Sequence, residues 1–353
     1  MSWWQRILHY PFIIRLFRWE YWSFHAVYFF VYPVWLYLCL RSRSFFFFSA
    51  SNPSIENGGF LMESKKKIYD LLPPGFYPKT ILVSAGESGD MIIKKVRQDN
   101  FVYPLIAKPD IGGKGRGVKK IDCENELLNY LQKFPFDMLV QEFVSYQHEV
   151  GIFYYRYPGQ PGGNISGIVG KHFLKVRGDG QSTIEQLLNR EKRYILQLSS
   201  LREALGEELQ DVLPAEEERV LVPYGNHARG ALFVDYTHWV DEELVDAIDR
   251  VCKKIPDFYF GRLDIRYHSI EKLKEGKQFS LIEVNGAGSE PTHMYDPRHS
   301  LLDAWKEIIK HWIILWRISR TNHARGIQYI NLKQGVRMFR EARQYDRLLG
   351  KLI

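Results

Sequence analysis

Cysteine is scarce. Cys39, Cys123 and Cys252 stand far apart and match no metal-ligand or disulfide spacing. That usage points to a reducing compartment. The chain also lacks any G-x-x-x-x-G-K-[ST] segment, which removes the P-loop from consideration. It has no internal repeat and no low-complexity tract beyond short aromatic runs. Its apolar N-terminal stretch is followed by no small-residue cleavage site, so it does not read as a secretory signal. What is present is ordinary in bulk. The chain is 45% hydrophobic and 25% charged over 353 residues, enough for one large domain or two smaller ones.

Charge is unevenly placed. Residues 1–50 carry net +4, residues 301–353 net +7, and the stretch between them net −4. Basic ends suit either nucleic acid or an anionic membrane surface. Trp3, Trp4, Trp19, Trp22 and Trp35 crowd the N-terminus, and interfacial tryptophan favours lipid over nucleic acid. Trp22 to Leu40 holds no charged residue and is about long enough to cross a bilayer. Three readings stay open for it: a single span, an interfacial anchor, or a buried aromatic helix docked on the body. His25 and Pro33 weigh against spanning. At the other end, Leu301, Leu302, Trp305, Ile308, Ile309, Trp312, Ile313 and Trp316 recur at helical spacing, as a helix closing a core would. Arg337 to Lys351 reads as a basic helix facing solvent or membrane. The expected division is an aromatic, membrane-directed segment over 1–58, a catalytic body over 59–300 and a helical tail over 301–353.

In the body, strands are expected at 103–108, 118–121, 138–143, 149–155, 165–176, 260–266 and 279–285. Helices are expected after Asp122, after Ser182 (a Ser-x-x-Glu capping box with Glu185), over 193–205 and after Asp241. Strands and helices without strict βαβ alternation argue for an α+β fold.

Two patterns carry chemistry. The first is Asp110-Ile-Gly-Gly-Lys-Gly-Arg-Gly117, whose backbone N–H groups could cradle phosphate oxygens. It leads into a strand rather than a helix, which disfavours a dinucleotide-binding fold. Preceded by Lys108, it fits a mobile hairpin flap over a triphosphate. The second is the pair of strands ending in Gly261-Arg262-Leu-Asp264 and Ile282-Glu283-Val-Asn285. Residues i and i+2 share a strand face, so Arg262, Asp264 and Arg266 point one way, and Glu283 and Asn285 share a face. If the strands pair, three oxygen ligands suited to Mg²⁺ converge with two guanidiniums. The alternative is a solvated sheet face with cross-strand ion pairs, but such a face does not ask for asparagine in mid-strand.

In this order the residues resemble the ATP-grasp superfamily, especially D-alanine–D-alanine ligases, cyanophycin synthetases and ribosomal-protein glutamate ligases. The resemblance covers about residues 60–300. It rests on Ile106-Ala-Lys108-Pro-Asp-Ile-Gly112 with the glycine loop, Val140-Gln-Glu142-Phe-Val144 with His148-Glu149, Gly178-Asp-Gly180-Gln-Ser-Thr183, Gly225-Asn226-His-Ala-Arg229-Gly230, Arg262-Leu-Asp264 and Glu283-Val-Asn285. It implies two α+β subdomains gripping ATP. Lys108 and Lys65, chosen among Lys65, Lys66 and Lys67, would reach the nucleotide, and Gly113, Gly115 and Gly117 would cover its phosphates. Glu142, Phe143 and Val144 would read adenine, and Glu149 would bond the ribose. Asp264, Glu283 and Asn285 would hold one or two Mg²⁺, with Mn²⁺ as a substitute. Lys171, Asn226, Arg229 and Arg262 would serve the chemistry, Arg262 by steadying a tetrahedral intermediate. Two departures stand out. In place of the family's usual front domain of about a hundred residues, only residues 1–60 precede the body and they look membrane-directed, and the early lysine is ambiguous.

The implied chemistry is ligation of a carboxylate to an amine through an acyl phosphate, at the cytoplasmic face of a membrane or in the cytoplasm. The loop from Gly286 to His293 is expected to border the acceptor, with Ser289 and His293 either orienting substrate or serving as turn residues. Rival readings are a non-catalytic ATP-binding membrane protein and an ATP-grasp phosphotransferase.

Overall fold

The computed structural model describes residues 10–113 and 115–352. Trp3, Trp4 and Lys114 lie outside the described residues. The N-terminal segment holds α1 (Pro11–Phe17), α2 (Phe24–Tyr28) and α3 (Tyr32–Ser42), and α4 (Lys65–Asp70) leads into the body. A first lobe is built from β1 (Thr80–Val83), α5 (Gly89–Gln98), β2 (Leu105–Pro109), β3 (Lys119–Ile121), α6 (Glu124–Leu131) and β4 (Met138–Glu142). Its sheet runs β1-β4-β2-β3. Leu105, Ala107, Ile121, Met138 and Val140 pack there against Ile92, Val96 and Leu127 of the helices.

The second lobe holds β5 (His148–Tyr155), β6 (Asn164–His172), β7 (Leu174–Arg177), α7 (Ile184–Leu188), α8 (Lys192–Ile195), α9 (Leu198–Leu205), β8 (Glu218–Val222), β9 (Leu232–Asp235), α10 (Glu242–Cys252), β10 (Phe260–Tyr267), α11 (Ile270–Lys274) and β11 (Phe279–Asn285). Its main sheet runs β11-β10-β5-β6-β9, while β7 and β8 form a separate hairpin. Every strand pairing described is antiparallel, which agrees with the α+β expectation. Side chains alternate across β10. Leu263 and Ile265 enter the core beside Val150, Ile152, Ile248 and Val251, while Arg262, Asp264 and Arg266, on the other face, enter ion pairs.

Three local expectations shift. The helix expected after Asp122 starts at Glu124, because the Asp122 carboxylate is taken by Lys120 Nζ at 2.6 Å. The capping box moves one residue on. Ser182 Oγ is spent on Asp179 Oδ2 at 2.8 Å, so Thr183 caps α7 and Gln186 reciprocates. The helix over 193–205 breaks in two between Ile195 and Leu198. Arg193 is drawn to Ala231 O and Glu20 Oε1, both at 3.1 Å, and no glycine or proline marks the break. Asp241 caps α10 through Leu244 N as expected.

Residues 10–60 pack on the body by one side. Val27, Tyr28 and Val31 meet Ala304 and Ile308 of α12 (Leu301–Ala324). Leu38 and Phe46–Phe48 meet Ile314, Leu315 and Ile318. Asn52 fixes the join. Its Oδ1 accepts from Tyr259 N and Phe260 N, and its Nδ2 donates to Gly58 O and Phe260 O, so both ends of the amide are satisfied. The opposite side is open, with Phe12, Phe17, Phe29, Phe30 and Leu40 each at least 65% exposed. Phe24–Ser42 is the described helical stretch long and apolar enough to cross a bilayer, yet its apolar window is 28% buried, far from a core helix. The α12 stripe closes the core through Ala304, Ile308, Ile314, Leu315 and Ile318, with Leu302 left exposed. The basic tail, α13 (Leu332–Leu352), is only partly solvated. Met338 joins the Phe46 cluster, and Leu349 and Tyr345 pack on the first lobe. Tyr345 lies under Gly112, and Arg116 Nη1 reaches Asp346 Oδ1 at 3.3 Å, so α13 braces the glycine loop.

Candidate active site

The two chemistry-bearing strands pair. Arg262 stands opposite Asn285 and Asp264 opposite Glu283, with a register shift just after Asp264. On its other side β10 pairs with β5, placing Gly151 opposite Asp264. A Cβ at Gly151 would lie 3.1 Å from Asp264 Oδ1 and 3.2 Å from Arg262 Cδ, so the glycine makes room for both. Gly225 does the same for Glu149 and Lys171.

A continuous run of ion pairs results. Arg262 Nε and Nη2 donate to Asp264 Oδ1 and Oδ2 at 2.9 and 3.2 Å. Lys171 Nζ lies 3.0 Å from Asp264 Oδ2 and 3.0 Å from Glu149 Oε1. Arg266 Nε completes the run 3.4 Å from Glu149 Oε2. Lys171, Glu149 and Asp264 are buried. Burial works against the Lys171 ammonium, but Asp264 and Glu149 outweigh it and its pKa is raised. Burial likewise opposes the Asp264 carboxylate, and Arg262 and Lys171 prevail and hold its pKa low.

The first lobe adds Lys108. Its Nζ donates to Gln141 Oε1 at 2.8 Å, Tyr69 OH at 2.9 Å and Ile282 O at 3.1 Å, so it bridges the lobes. Burial lowers its pKa to about 8, against the pull of Glu283 and Asp110. Of the three neighbouring lysines, Lys65 faces the cluster, 3.7 Å from Glu283 Oε1, and also donates to Gly112 O. Lys66 pairs with Asp70 and Lys67 with Glu56. Lys65, Lys108, Lys171, Arg262 and Arg266 thus gather here with Glu149, Asp264 and Glu283, and Asp110 and Glu290 stand beside Lys108 and Arg262.

The remaining predicted residues border this cluster. Gly112, Gly115 and Gly117 all have positive φ, the conformation a glycine loop requires. With Gly113 they form the turn above Lys65. The loop meets the 225–230 segment, where a Cβ on Gly115 would lie 2.9 Å from Asn226 Nδ2. Arg229 stacks on Tyr224, 5.3 Å from the ring centre, rather than joining the ion pairs. Glu142 is exposed at the end of β4, and Phe143 lies beside Lys120. Val144 O accepts from Arg266 Nη1 at 3.4 Å, which ties this edge to β10. Ser289 Oγ donates to Asn285 O at 2.9 Å, a turn contact. His293 is buried against Glu307, 3.3 Å away. A groove of ≈ 440 Å³ lined by Asp90, Lys94 and Arg97 shares no residue with the cluster.

Sequence reading missed Tyr69, Gln141, Tyr28, Glu290 and Tyr295. Gln141 was legible, since it stands two residues from Leu139 on a strand and across from Ile106. Tyr28 was not, because it meets Glu290 across 262 residues of chain.

A Mg²⁺ ion would need hard oxygen donors. Asp264, Glu283 and Asn285 supply two carboxylates and an amide on paired strands. The Asn285 Nδ2 atom is buried without a partner, and an amide turned over would offer oxygen at that point. The donor set fits the ion. Among the described residues there is no cluster of three or more His, Cys, Asp or Glu side chains with metal-ligand geometry.

No family model matches the chain, and no curated protein does. Among solved structures it is similar to a bifunctional glutathione synthetase from Pasteurella multocida, at 13% identity and TM-score 0.36, over 72% of this chain and 38% of that one. It is similar to the VanG D-Ala:D-Ser ligase from Enterococcus faecalis, at 14% identity and TM-score 0.38, over 72% and 61%. It is also similar to the D-alanine–D-alanine ligase from Bacillus anthracis, at 14% identity and TM-score 0.38, over 72% and 68%. The chain therefore spans well under half of the glutathione synthetase it matches.

Proposed function

We propose that the protein is an ATP-dependent carboxylate–amine ligase of the ATP-grasp kind. The observation that carries this is the buried Arg262–Asp264–Lys171–Glu149–Arg266 run, opposite Lys108 and beneath a glycine loop. Such a run keeps several charges preorganised in a dry place, which suits a polyanion whose charge shifts during reaction. In this reading a substrate carboxylate attacks the γ-phosphorus of ATP and releases ADP. An amine then attacks the acyl phosphate, the C–N bond forms and phosphate leaves. Lys108, Lys65 and Lys171 bind and orient phosphate oxygens, and Arg262 steadies the oxyanion of the tetrahedral species. Asp264, Glu283 and Asn285 would hold Mg²⁺, which when bound neutralises phosphate charge. The test is ADP release with mixed acids and amines. It should require both substrates and vanish in Arg262→Ala, while ATP still raises that variant's Tm. Release without an amine, with a phosphorylated acid as the product, would instead identify a phosphotransferase.

We place the protein at a membrane surface, lying on it rather than spanning it. Phe12, Phe17, Phe29, Phe30, Leu40 and Phe45 are exposed on one side of residues 10–45, with exposed Arg15, Arg18, Arg41 and Arg43 among them. The other side of the same segment is committed to the protein core through Val27, Leu38 and Phe47. Aromatic side chains with flanking arginines suit an anionic headgroup layer. Pelleting with phosphatidylcholine/phosphatidylserine vesicles tests this, and a protein that stays in the supernatant at low salt refutes it.

A further inference from the structure

Beside Arg262 lies a carboxylate that the ion-pair run does not use. The Glu290 backbone carbonyl accepts from Arg262 Nη1 at 3.3 Å, so the residue is pinned next to the guanidinium. Its Oε1 accepts from Tyr28 OH at 2.9 Å and from Tyr295 OH at 3.1 Å. Its Oε2 has no protein partner among the described residues, and the side chain is only half-buried. Two phenols therefore orient one oxygen and leave the other presented. Two further rings pack on Tyr295. Trp19 stacks on Tyr295 at 5.6 Å, and the His227 ring lies 5.4 Å from Tyr295 on another side. His227 Nε2 is itself buried without a partner. A half-buried carboxylate fixed by two phenols through one oxygen can accept from a cationic or amine nitrogen with the other.

We propose that Glu290, oriented by Tyr28 and Tyr295, binds the amine substrate of the ligation. On approach the amine donates to Oε2. As the C–N bond forms, the nitrogen loses a proton to that oxygen, and the C–O bond to phosphate breaks with its electron pair leaving on phosphate. The inference rests on the ligase reading above. It also gives the N-terminal segment a part in the reaction, since Tyr28 belongs to α2 while Glu290 follows the metal-ligand strand β11.

The experiment uses the full chain with ATP, the twenty amino acids as acids, and the same amino acids or polyamines as amines. Parallel wells replace the amine with hydroxylamine, which is uncharged at neutral pH and traps acyl phosphate as hydroxamate without a base. Glu290→Gln should lower amide formation about 100-fold, the scale of a lost general base. Hydroxamate formation should stay within about threefold of wild type, as expected for chemistry that does not need this base. Tyr28→Phe should raise the amine KM with kcat for hydroxamate unchanged. Equal loss of both products in a Glu290→Gln protein that ATP still stabilises overturns the proposal, as does full retention of amide formation. If Glu290→Gln does not fold, an unchanged amine KM in Tyr28→Phe overturns it. A wild type that releases no ADP and forms no hydroxamate refutes the ligase reading itself.

Discussion

Two regions invert the usual division between inside and outside. The central sheet buries charge, with Lys171, Glu149 and Asp264 all under one-tenth exposed. The N-terminal segment does the reverse and leaves Phe12, Phe17 and Leu40 about three-quarters exposed. Buried charges lose hydration and exposed aromatics order water, so each arrangement costs stability by itself. The cost differs in kind. The buried charges compensate one another through short ion pairs, whereas Phe12 and Phe17 have no ring partner among the described residues and Phe30 meets Trp305 by one side only, at 5.2 Å. The first region is therefore complete enough to be rigid before a ligand arrives, and the second gains only when something covers it.

The comparison can be broken at its charged side first. Asp264→Ala leaves Arg262 and Lys171 buried against each other and should cost about 3–5 kcal/mol in urea unfolding, as for other broken buried pairs. Lys175→Ala, which removes the exposed partner of Glu218, should leave the midpoint unchanged. A small effect at Asp264 would mean that the cluster is wet. Next, Lys108→Met should abolish the rise in Tm with ATP, for a loss of at least about tenfold in affinity, close to 1.4 kcal/mol. On the aromatic side, Phe12→Ser with Phe17→Ser should weaken vesicle binding about tenfold or more, while lipid-free stability stays the same or rises.

The comparison also carries a pH dependence. Burial, with nearby His293, lowers the His311 pKa to about 3, and burial with Arg193 does the same for His227. The unfolded chain takes up these protons near pH 6.5 and the native protein only near pH 3. Stability should therefore fall as pH drops from 6.5 towards 3. Glu307, held down to about 2 by His293 and Lys310 against burial, adds its own loss only below about pH 4.5. Tm measured between pH 7 and 5 isolates the histidines, and His311→Asn should flatten that slope.

The charged side was legible in sequence because strand periodicity is local. Arg262, Asp264, Glu283 and Asn285 could be put on shared faces by counting in twos, and the pairing places them together. Lys108 was legible from the glycine loop that follows it. Gln141, next to Glu142 in the same stretch, was given no role, yet it faces the Lys108 ammonium, because adjacent strand residues point to opposite faces. The N-terminal segment was legible only as composition. Its short helices break at Arg18 and near Phe29, and their docking depends on α12, nearly three hundred residues later. Hydropathy cannot separate the side packed on α12 from the side left open.

The bracing of the glycine loop by α13 has a practical consequence. From Phe46 at its start to Arg116 near its end, this helix runs some fifteen residues, about 22 Å, between the aromatic segment and the glycine loop. The tail is thus part of the loop's foundation. Removing residues 345–352, or fusing a bulky tag there, would loosen the glycine loop from a distance, although none of those residues belongs to the ion-pair cluster.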